Sequence, residues 1–490
     1  MPVTAAAVIP SSSLDLFDDE VLRDPYEAHS TLREMGPAVY LHRHGVWALT
    51  RYEDVKAALK DTDTFSSVDG VALTDQANQR ILAGTVLASD GMAHARLRRP
   101  LSHQLNPRAI QKLAGWIEEH AEKLVTAHVR AGRFDAVALA RKLVADVVME
   151  LMGLPEFTRD QLIEAAEHTF NCFGPDNPRH RHSAPAAAGV IEFLHTEVTR
   201  KTVRPGTWMD ALYQAADAGR ITEADVVPLM SAYVAAGMDT TIFAISTAML
   251  LLARHPQQWR NLRAGSVSAQ AVFHETLRLE SPVQGFGRRV TRATRIGNTK
   301  IKAGEQVWLL YGAANRDPRK WGPSADEFSP ARPDAEDQLA LGAGPHLCAG
   351  NHLAALETRS LLTALTRHCT RLEVDGHPQP MLNNTLRGYT SIPLRATPCH
   401  PQTPTPHPPH DTDPTPDPEN TCARTHHRVR APTPRTAKPR TPWRTTRSKA
   451  GACCATESCS SRTQADCCRT AGSPLLASPP PLSDSRPEEE

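Results

Sequence analysis

The residues best suited to chemistry fall in one run, Leu341-Gly342-Ala343-Gly344-Pro345-His346-Leu347-Cys348-Ala349-Gly350, directly before an apolar stretch of helical spacing. Gly342 and Gly344 can take positive φ, which lets a tight loop turn its backbone amides toward one sulfur. The N-terminus of the helix that follows adds positive potential at Cys348 and favours thiolate over thiol. A thiolate so placed suits the iron of a haem, where sulfur pushes electron density onto the metal and favours O–O cleavage. Gly350 would let the helix approach the face of the macrocycle. The plain alternative is a buried, inert cysteine after a glycine-rich turn. The Gly-Gly-His-Cys-Gly spacing favours the haem ligand.

Three further groupings are weaker alone. Ala236-Gly237-Met238-Asp239-Thr240-Thr241 interrupts an apolar helical pattern running from Val226 to Ala253. Glycine inside a helix costs about 1 kcal/mol relative to alanine, and an acid followed by two hydroxyls is expensive on a buried face. By itself this reads as a kink with locally satisfied hydroxyls. Glu275 and Arg278 stand at i,i+3, a pair that on an exposed helix contributes a few tenths of a kcal/mol. His94 and Arg98, four apart, share a helical face and together suit a carboxylate. Arg288, with its neighbour Arg289 as the alternative, and His346 are further candidate donors. Each of these alone would pass for a solvated charge.

Taken in order, these segments resemble the motifs of the cytochrome P-450 superfamily, of the soluble bacterial type, over roughly residues 15–397. Ala314-Asn315-Arg316-Asp317-Pro318, Phe328-Ser329-Pro330-Ala331-Arg332, Trp47 to Val55 and Leu386-Arg387-Gly388 fall in the family's order. The resemblance implies heme b (iron protoporphyrin IX) with Cys348 as its thiolate ligand. It implies propionate contacts from His94, Arg98, Arg288 and His346, and a structural charge triad of Glu275, Arg278 and Arg332. Asp239 and Thr240 would be catalytic, Thr240 hydrogen-bonding oxygen and Asp239 relaying protons, while Gly237 leaves room for dioxygen. One departure is Leu341, where the family usually has phenylalanine beside the sulfur, a change that touches packing around the ligand and leaves ligation possible.

These residues need a mostly helical frame. Apolar residues at helical spacing predict helices over Asp160–Thr169, Ile191–Lys201, Glu223–Ala253 and Ala349–His368. Strand-like runs occur at Ala38–Leu41, Val46–Thr50 and Gln306–Leu310. The expected class is mainly α with small β-sheets, the cytochrome P-450 fold, over residues 1–397. The remaining residues, 398–490, form a proline-rich, then basic, then cysteine-rich tail that lacks core-forming side chains and is expected to be disordered. Seven of the ten cysteines lie at or beyond Cys399, so the domain before them does not read as a disulfide scaffold. The net charge of +1 points to no particular partner. The first twenty residues carry no basic segment followed by an apolar one, so the expectation is a cytoplasmic, unanchored chain that binds neither membrane nor nucleic acid.

By the resemblance, the chain is a monomeric monooxygenase that takes electrons from a ferredoxin and its reductase, since the sequence holds no flavin or iron–sulfur motif. Arg96 and Arg99 offer a docking patch for an acidic partner. Phe170-Asn171-Cys172-Phe173-Gly174-Pro175, Ser281–Phe286 and Asn383–Gly388 are similar to a subgroup that demethylates methoxybenzoates. Phe170, Phe173, Ala236, Val283 and Phe286 would then line a compact aromatic pocket. That subgroup is expected to carry hydroxyl side chains where this chain has Ala232 and Ala235, and a buried carboxylate without donors costs several kcal/mol. The substrate expected is therefore a small or medium aromatic molecule, neutral at its pocket end, undergoing hydroxylation or O-dealkylation. The alternatives are oxidative coupling or hydroxylation of a natural-product intermediate, and a non-enzymatic haem sensor, which would leave Asp239 and Thr240 without a purpose.

Overall fold

The most apolar stretch of the chain lies at its centre. In a computed structural model that describes residues 9–154 and 159–399, 14 of the 16 residues of the Asp239–Arg254 helix are buried. A helix apolar on every side must be covered on every side. It packs against Ala136–Met152, Ala269–Leu279 and Asn351–His368, and the last of these packs in turn along Ala114–Ala131. The run Glu223–Arg254 has the length and composition to cross a membrane, yet 78% of its most apolar window is buried within the protein, as befits a core helix.

That run is not one helix. It begins as a 3-10 turn, Glu223–Asp225, continues as Val226–Gly237, and breaks at Met238 (φ −87°, ψ −80°) before Asp239–Arg254. At the break the Thr240 hydroxyl donates to the Ala236 carbonyl at 2.8 Å. A hydroxyl competing for the i−4 carbonyl bends helices, so the expected single element becomes two. The helix expected at Ile191–Lys201 is Pro178–Glu197. Asn177 caps it by accepting from the His180 amide at 3.0 Å, with Pro178 in the first turn. Pro185 within it hides the helical pattern.

The main sheet has six strands in the order Ser11–Ser12, Ala38–Leu41, Val46–Leu49, Gln306–Leu310, Gly285–Val290 and Phe65–Ser66. Trp47 pairs with Val307 in parallel, and Arg288 pairs with Val307 in antiparallel register. Gly287 approaches the chain at Gly70 so closely that an added Cβ would stand 2.2 Å from the Gly70 carbonyl oxygen. No other residue fits there, and this crossing fixes the strand that carries Arg288. A second sheet joins Cys369–Val374, Pro393–Pro398 and Arg133–Asp135. Asp135 caps Ala136–Met152 through the Val137 amide (2.7 Å) and also accepts from Ser391, tying that helix to the sheet. The described residues run through Cys399, whose amide donates to the His368 carbonyl. Apart from Pro398 and Cys399, the tail of 398–490 lies outside the described residues.

Candidate active site

The strand Gly285–Val290, the paired helices around Met238 and the loop before Asn351–His368 surround a cavity with about 300 Å³ of room for the centres of water-sized spheres. Cys348 is on its wall. The loop turns back through Gly342 (φ 74°) and Gly344 (φ 69°), and the Cys348 amide donates to Leu341 at 2.8 Å. A side chain at Gly344 would collide with the Leu59 carbonyl, its Cβ only 2.8 Å away. The other described cysteines lie elsewhere: Cys172 and Cys369 are buried off the cavity, and Cys399 follows the last strand beside Arg263. Burial pushes the Cys348 thiol up, against the pull of the Gly350 and Asn351 amides and of Arg98. The loop alone therefore does not make the thiolate that its position at a helix N-terminus suggests; a cation bound to sulfur would.

The donors expected beside it come together. Arg98, Arg288 and His346 line the same cavity. Arg98 donates to the Leu347 carbonyl, one residue from the sulfur. Arg288, 2% exposed, donates to Gly287 at 2.7 Å, and its charge opposes the rise that burial imposes on the Tyr311 phenol. Its neighbour Arg289 leaves the opposite face of the strand for Asp69, Asp75 and Gly304, which removes it as the alternative. His346 Nε2 is engaged by Asp90 (2.9 Å) and Ser67 (3.2 Å). Burial raises the Asp90 carboxyl, but hydrogen bonds from His346, Ser66 and the Ser67 amide outweigh it and hold it at about 2. His94 is behind the wall, its ring 4.3 Å from that of His346, and its buried Nε2 has no partner among the described residues. Burial, with the charges of His346 and Arg98, lowers the His94 imidazole to about 4.

This donor set fits the haem implied by the resemblance. One sulfur, two guanidinium groups and an imidazole line the one cavity, with an orphaned buried imidazole nitrogen behind its wall, a donor set suited to an iron macrocycle with two carboxylates. At Gly237, also on the wall, an added Cβ would meet nothing within 4 Å, so there is open space across the cavity.

On that side Thr240 and Thr241 line the cavity, whereas Asp239 does not. Asp239 is 3% exposed, and its Oδ2 has no partner among the described residues. Burial, helped by Glu167 and opposed by Arg141, pushes its carboxyl up to about 7. Phe170, Phe173, Ala236, Val283 and Phe286 all line the cavity, as do Ala232 and Ala235. The aromatic rings form a chain, Phe170 to Phe173 at 5.4 Å and Phe173 to Phe286 at 6.0 Å, both edge-on.

Glu275, Arg278 and Arg332 meet in the interior, away from the cavity. Arg278 holds Glu275 through two bonds of 2.7 and 2.9 Å, and Arg332 approaches the same carboxylate at 3.4 Å. Arg278 also donates to the carbonyls of Asn315, Ala325 and Glu327, which secures the chain leading to the cysteine loop. Arg96 and Arg99 are both exposed, and Arg96 pairs with Asp225 at the surface through both its terminal nitrogens. Three cavity residues were not anticipated. Glu357, 1% exposed, has an unpartnered Oε1, and burial pushes its carboxyl well above the usual range. An acid at i+3 from Ala354 on an apolar helix face is the signal that points to it. Tyr233 and its neighbour Trp208 (rings 5.5 Å apart) are also on the wall.

Comparison with known proteins agrees with this geometry. Residues 268–399 match the family model described as Cytochrome P450. Cytochrome p450 CYP199A2 of Rhodopseudomonas palustris is 34% identical over 407 residues, covering 81% of this chain and 98% of the relative. Cytochrome P450 monooxygenase PikC of Streptomyces venezuelae is 28% identical, covering 79% of this chain and 94% of its own length. Among solved structures, cytochrome P450 CREJ in complex with (4-ethylphenyl) dihydrogen phosphate superposes with a TM-score of 0.69 at 25% identity, covering 78% of this chain and 98% of the other. The chain belongs to the cytochrome P450 family of haem-thiolate monooxygenases.

Proposed function

We propose that Cys348 is the thiolate ligand of the haem and that the enzyme inserts one atom of dioxygen into a small or medium, uncharged aromatic substrate by hydroxylation or O-dealkylation. The observation that carries this reading is the cavity itself: one sulfur on its wall and a chain of phenyl rings that includes Phe170, Phe173 and Phe286. Ala232 and Ala235, also on the wall, provide no donor for a carboxylate there, so an apolar ring is favoured over a benzoate. CREJ, of the same fold, holds an aryl phosphate, which supports single-ring ligands in such a cavity.

When bound, the haem supplies the oxygen-activating and electron-accepting chemistry. The protein residues have separate tasks. Cys348 holds the iron, and Arg98, Arg288, His94 and His346 hold the carboxylates. The phenyl rings exclude water and orient the substrate. Thr240 holds a proton at Oγ1 on the cavity wall, at rest donated to Ala236. Asp239, with its carboxyl near 7, takes and returns protons at neutral pH. It is shut off from the cavity, so a side-chain rotation or a water completes the path to Thr240. In total, substrate, dioxygen, two electrons and two protons give oxygenated product and water. The electrons come from a separate ferredoxin and reductase, with Arg96 and Arg99 on the face offered to an acidic partner.

The test is spectroscopic. The reduced, carbon-monoxide-bound protein is expected to show the red-shifted Soret band of thiolate ligation, and Cys348→Ser to lose it. Retention of that band in the variant removes Cys348 as ligand. Titration of the ferric enzyme with aromatic ethers, read as a spin-state shift, tests the substrate class.

A further inference from the structure

Phe170 and Phe173 stand at and just beyond the C-terminal end of the helix Arg159–Asn171. The last carbonyls of a helix have no partner inside it and must find one outside. Here a distant loop supplies it. The Thr385 hydroxyl donates to the Phe170 carbonyl at 2.8 Å and Asn384 Nδ2 to the Asn171 carbonyl at 2.8 Å. The Leu73 amide donates to the Phe173 carbonyl at 2.9 Å. In return Asn171 Oδ1 accepts from the Asn384 backbone amide at 3.0 Å. Asn384 and Thr385 are buried, and neither is on the cavity wall.

The loop has no bonding capacity to spare. Asn384 Nδ2 also donates to Asn177 Oδ1 (3.0 Å), while Asn384 Oδ1 accepts from Asn177 Nδ2 (2.9 Å) and Arg179 Nε (3.0 Å), the full capacity of a side-chain amide. Asn383 Oδ1 accepts from the amides of Thr385 and Leu386 and sets the turn. Gly174 permits the close approach, since a Cβ there would stand 2.5 Å from that of Asn384.

Thr385 also reaches the facing segment. Its carbonyl accepts from the Gln284 amide at 2.9 Å, beside a bridge between Leu386 and Val283. Val283 and Phe286 line the cavity from that segment. The Leu73 segment is tied to it as well, because Val71 accepts from the Gly287 amide at 2.8 Å. Thr385 therefore holds the Phe170 segment with its hydroxyl and the Phe286 segment with its carbonyl. Phe173 and Phe286 meet edge-on at 6.0 Å across that junction. Moving the segments apart would leave buried donors and acceptors unpaired, which costs more than each bond contributes when made.

We propose that Thr385 and Asn384 are positioning residues that fix the aromatic rings at one separation, so that the cavity prefers a single ring to fused rings. They act through Phe170 and Phe173 without touching the ligand. This rests on the reading of the cavity as an aromatic site and adds what limits its width.

The experiment uses the holoenzyme, Thr385→Val, Thr385→Ser and Asn384→Ala with two probes that bind through the iron, 1-phenylimidazole and 1-(2-naphthyl)imidazole. Binding is read as the red shift of the Soret band, and the preference as the ratio of the two dissociation constants. The parent is expected to prefer the phenyl compound. Thr385→Val keeps the bond to Gln284 and loses the one to Phe170, so the preference should fall about tenfold. Asn384→Ala should lower it at least as far, and Thr385→Ser, which keeps the hydroxyl, should retain it. Equal affinities in the parent, an unchanged preference in Thr385→Val, or the same loss in Thr385→Ser overturns the inference. Where a variant fails to hold haem, amide exchange in the parent decides. The backbone amides of Leu73 and Asn384 should exchange slowly with and without the naphthyl compound, and rapid exchange of either ends the proposal. The azoles do not depend on the substrate class. Aromatic ethers that leave the parent's spin state unchanged therefore remove the aromatic reading, whereas the azole ratios judge the positioning role alone.

Discussion

Asp239 stores a conflict between folding and chemistry that can be measured. Burial raises its carboxyl from 3.8 to about 7, with one oxygen left unpartnered. In the unfolded chain the group ionises near its ordinary value, so between these limits the unfolded state loses a proton that the folded state keeps. Stability therefore falls as pH rises through this window, by up to about 1.4 kcal/mol per pH unit, and levels off above pH 7. The full difference is about 4 kcal/mol, an upper figure for a group whose surroundings can relax. Asp239→Asn removes the titration and keeps the shape. Urea unfolding of both holoproteins from pH 5 to pH 8 should show the variant gaining on the parent up to about pH 7, with a constant lead beyond. A protonated-carboxyl infrared band present at pH 6 and absent in the variant would locate the proton directly. Turnover should fall over the same range, because an amide cannot relay a proton. A stability gap that does not change with pH would refute the reasoning.

Thr240→Ala should keep haem content and substrate affinity while diverting oxygen into hydrogen peroxide, measured as peroxide formed per reducing equivalent consumed; unchanged coupling counts against the proton-holding role of its hydroxyl. Gly287→Ala forces a Cβ against the Gly70 carbonyl and should lower expression and haem incorporation sharply, with an absorbance spectrum per unit protein as the check.

Much of this was legible in the residues because it depends on local order. Ala38–Leu41 and Gln306–Leu310 form strands as their apolar runs require, and the phenylalanines from two separate segments do meet on one cavity. What was hidden depends on contacts between distant residues. Arg96 reads as unpaired until folding brings Asp225, 129 positions away, beside it. Asp239 reads as a solvent-linked acid until the packing of the helices closes over it. The break at Met238 comes from a hydroxyl claiming a carbonyl, an event that hydrophobic periodicity does not register. Glu357 and Tyr233 each carry an isolated polar atom in an apolar pattern, and only burial shows that neither has a partner.

The convergence of His94, Arg98, Arg288, His346 and Cys348 also sets a schedule. Asp90 and His346, which brace this cluster, are 256 positions apart. At a synthesis rate of 5–20 residues per second, roughly ten to fifty seconds separate their appearance. Until the later segment emerges, the N-terminal donors have no sulfur to face, and such long-range closures are slow to form. On the ligation proposed for Cys348, haem capture is therefore a late event in the maturation of the chain, and a nascent protein halted before that residue would have nowhere to hold the iron.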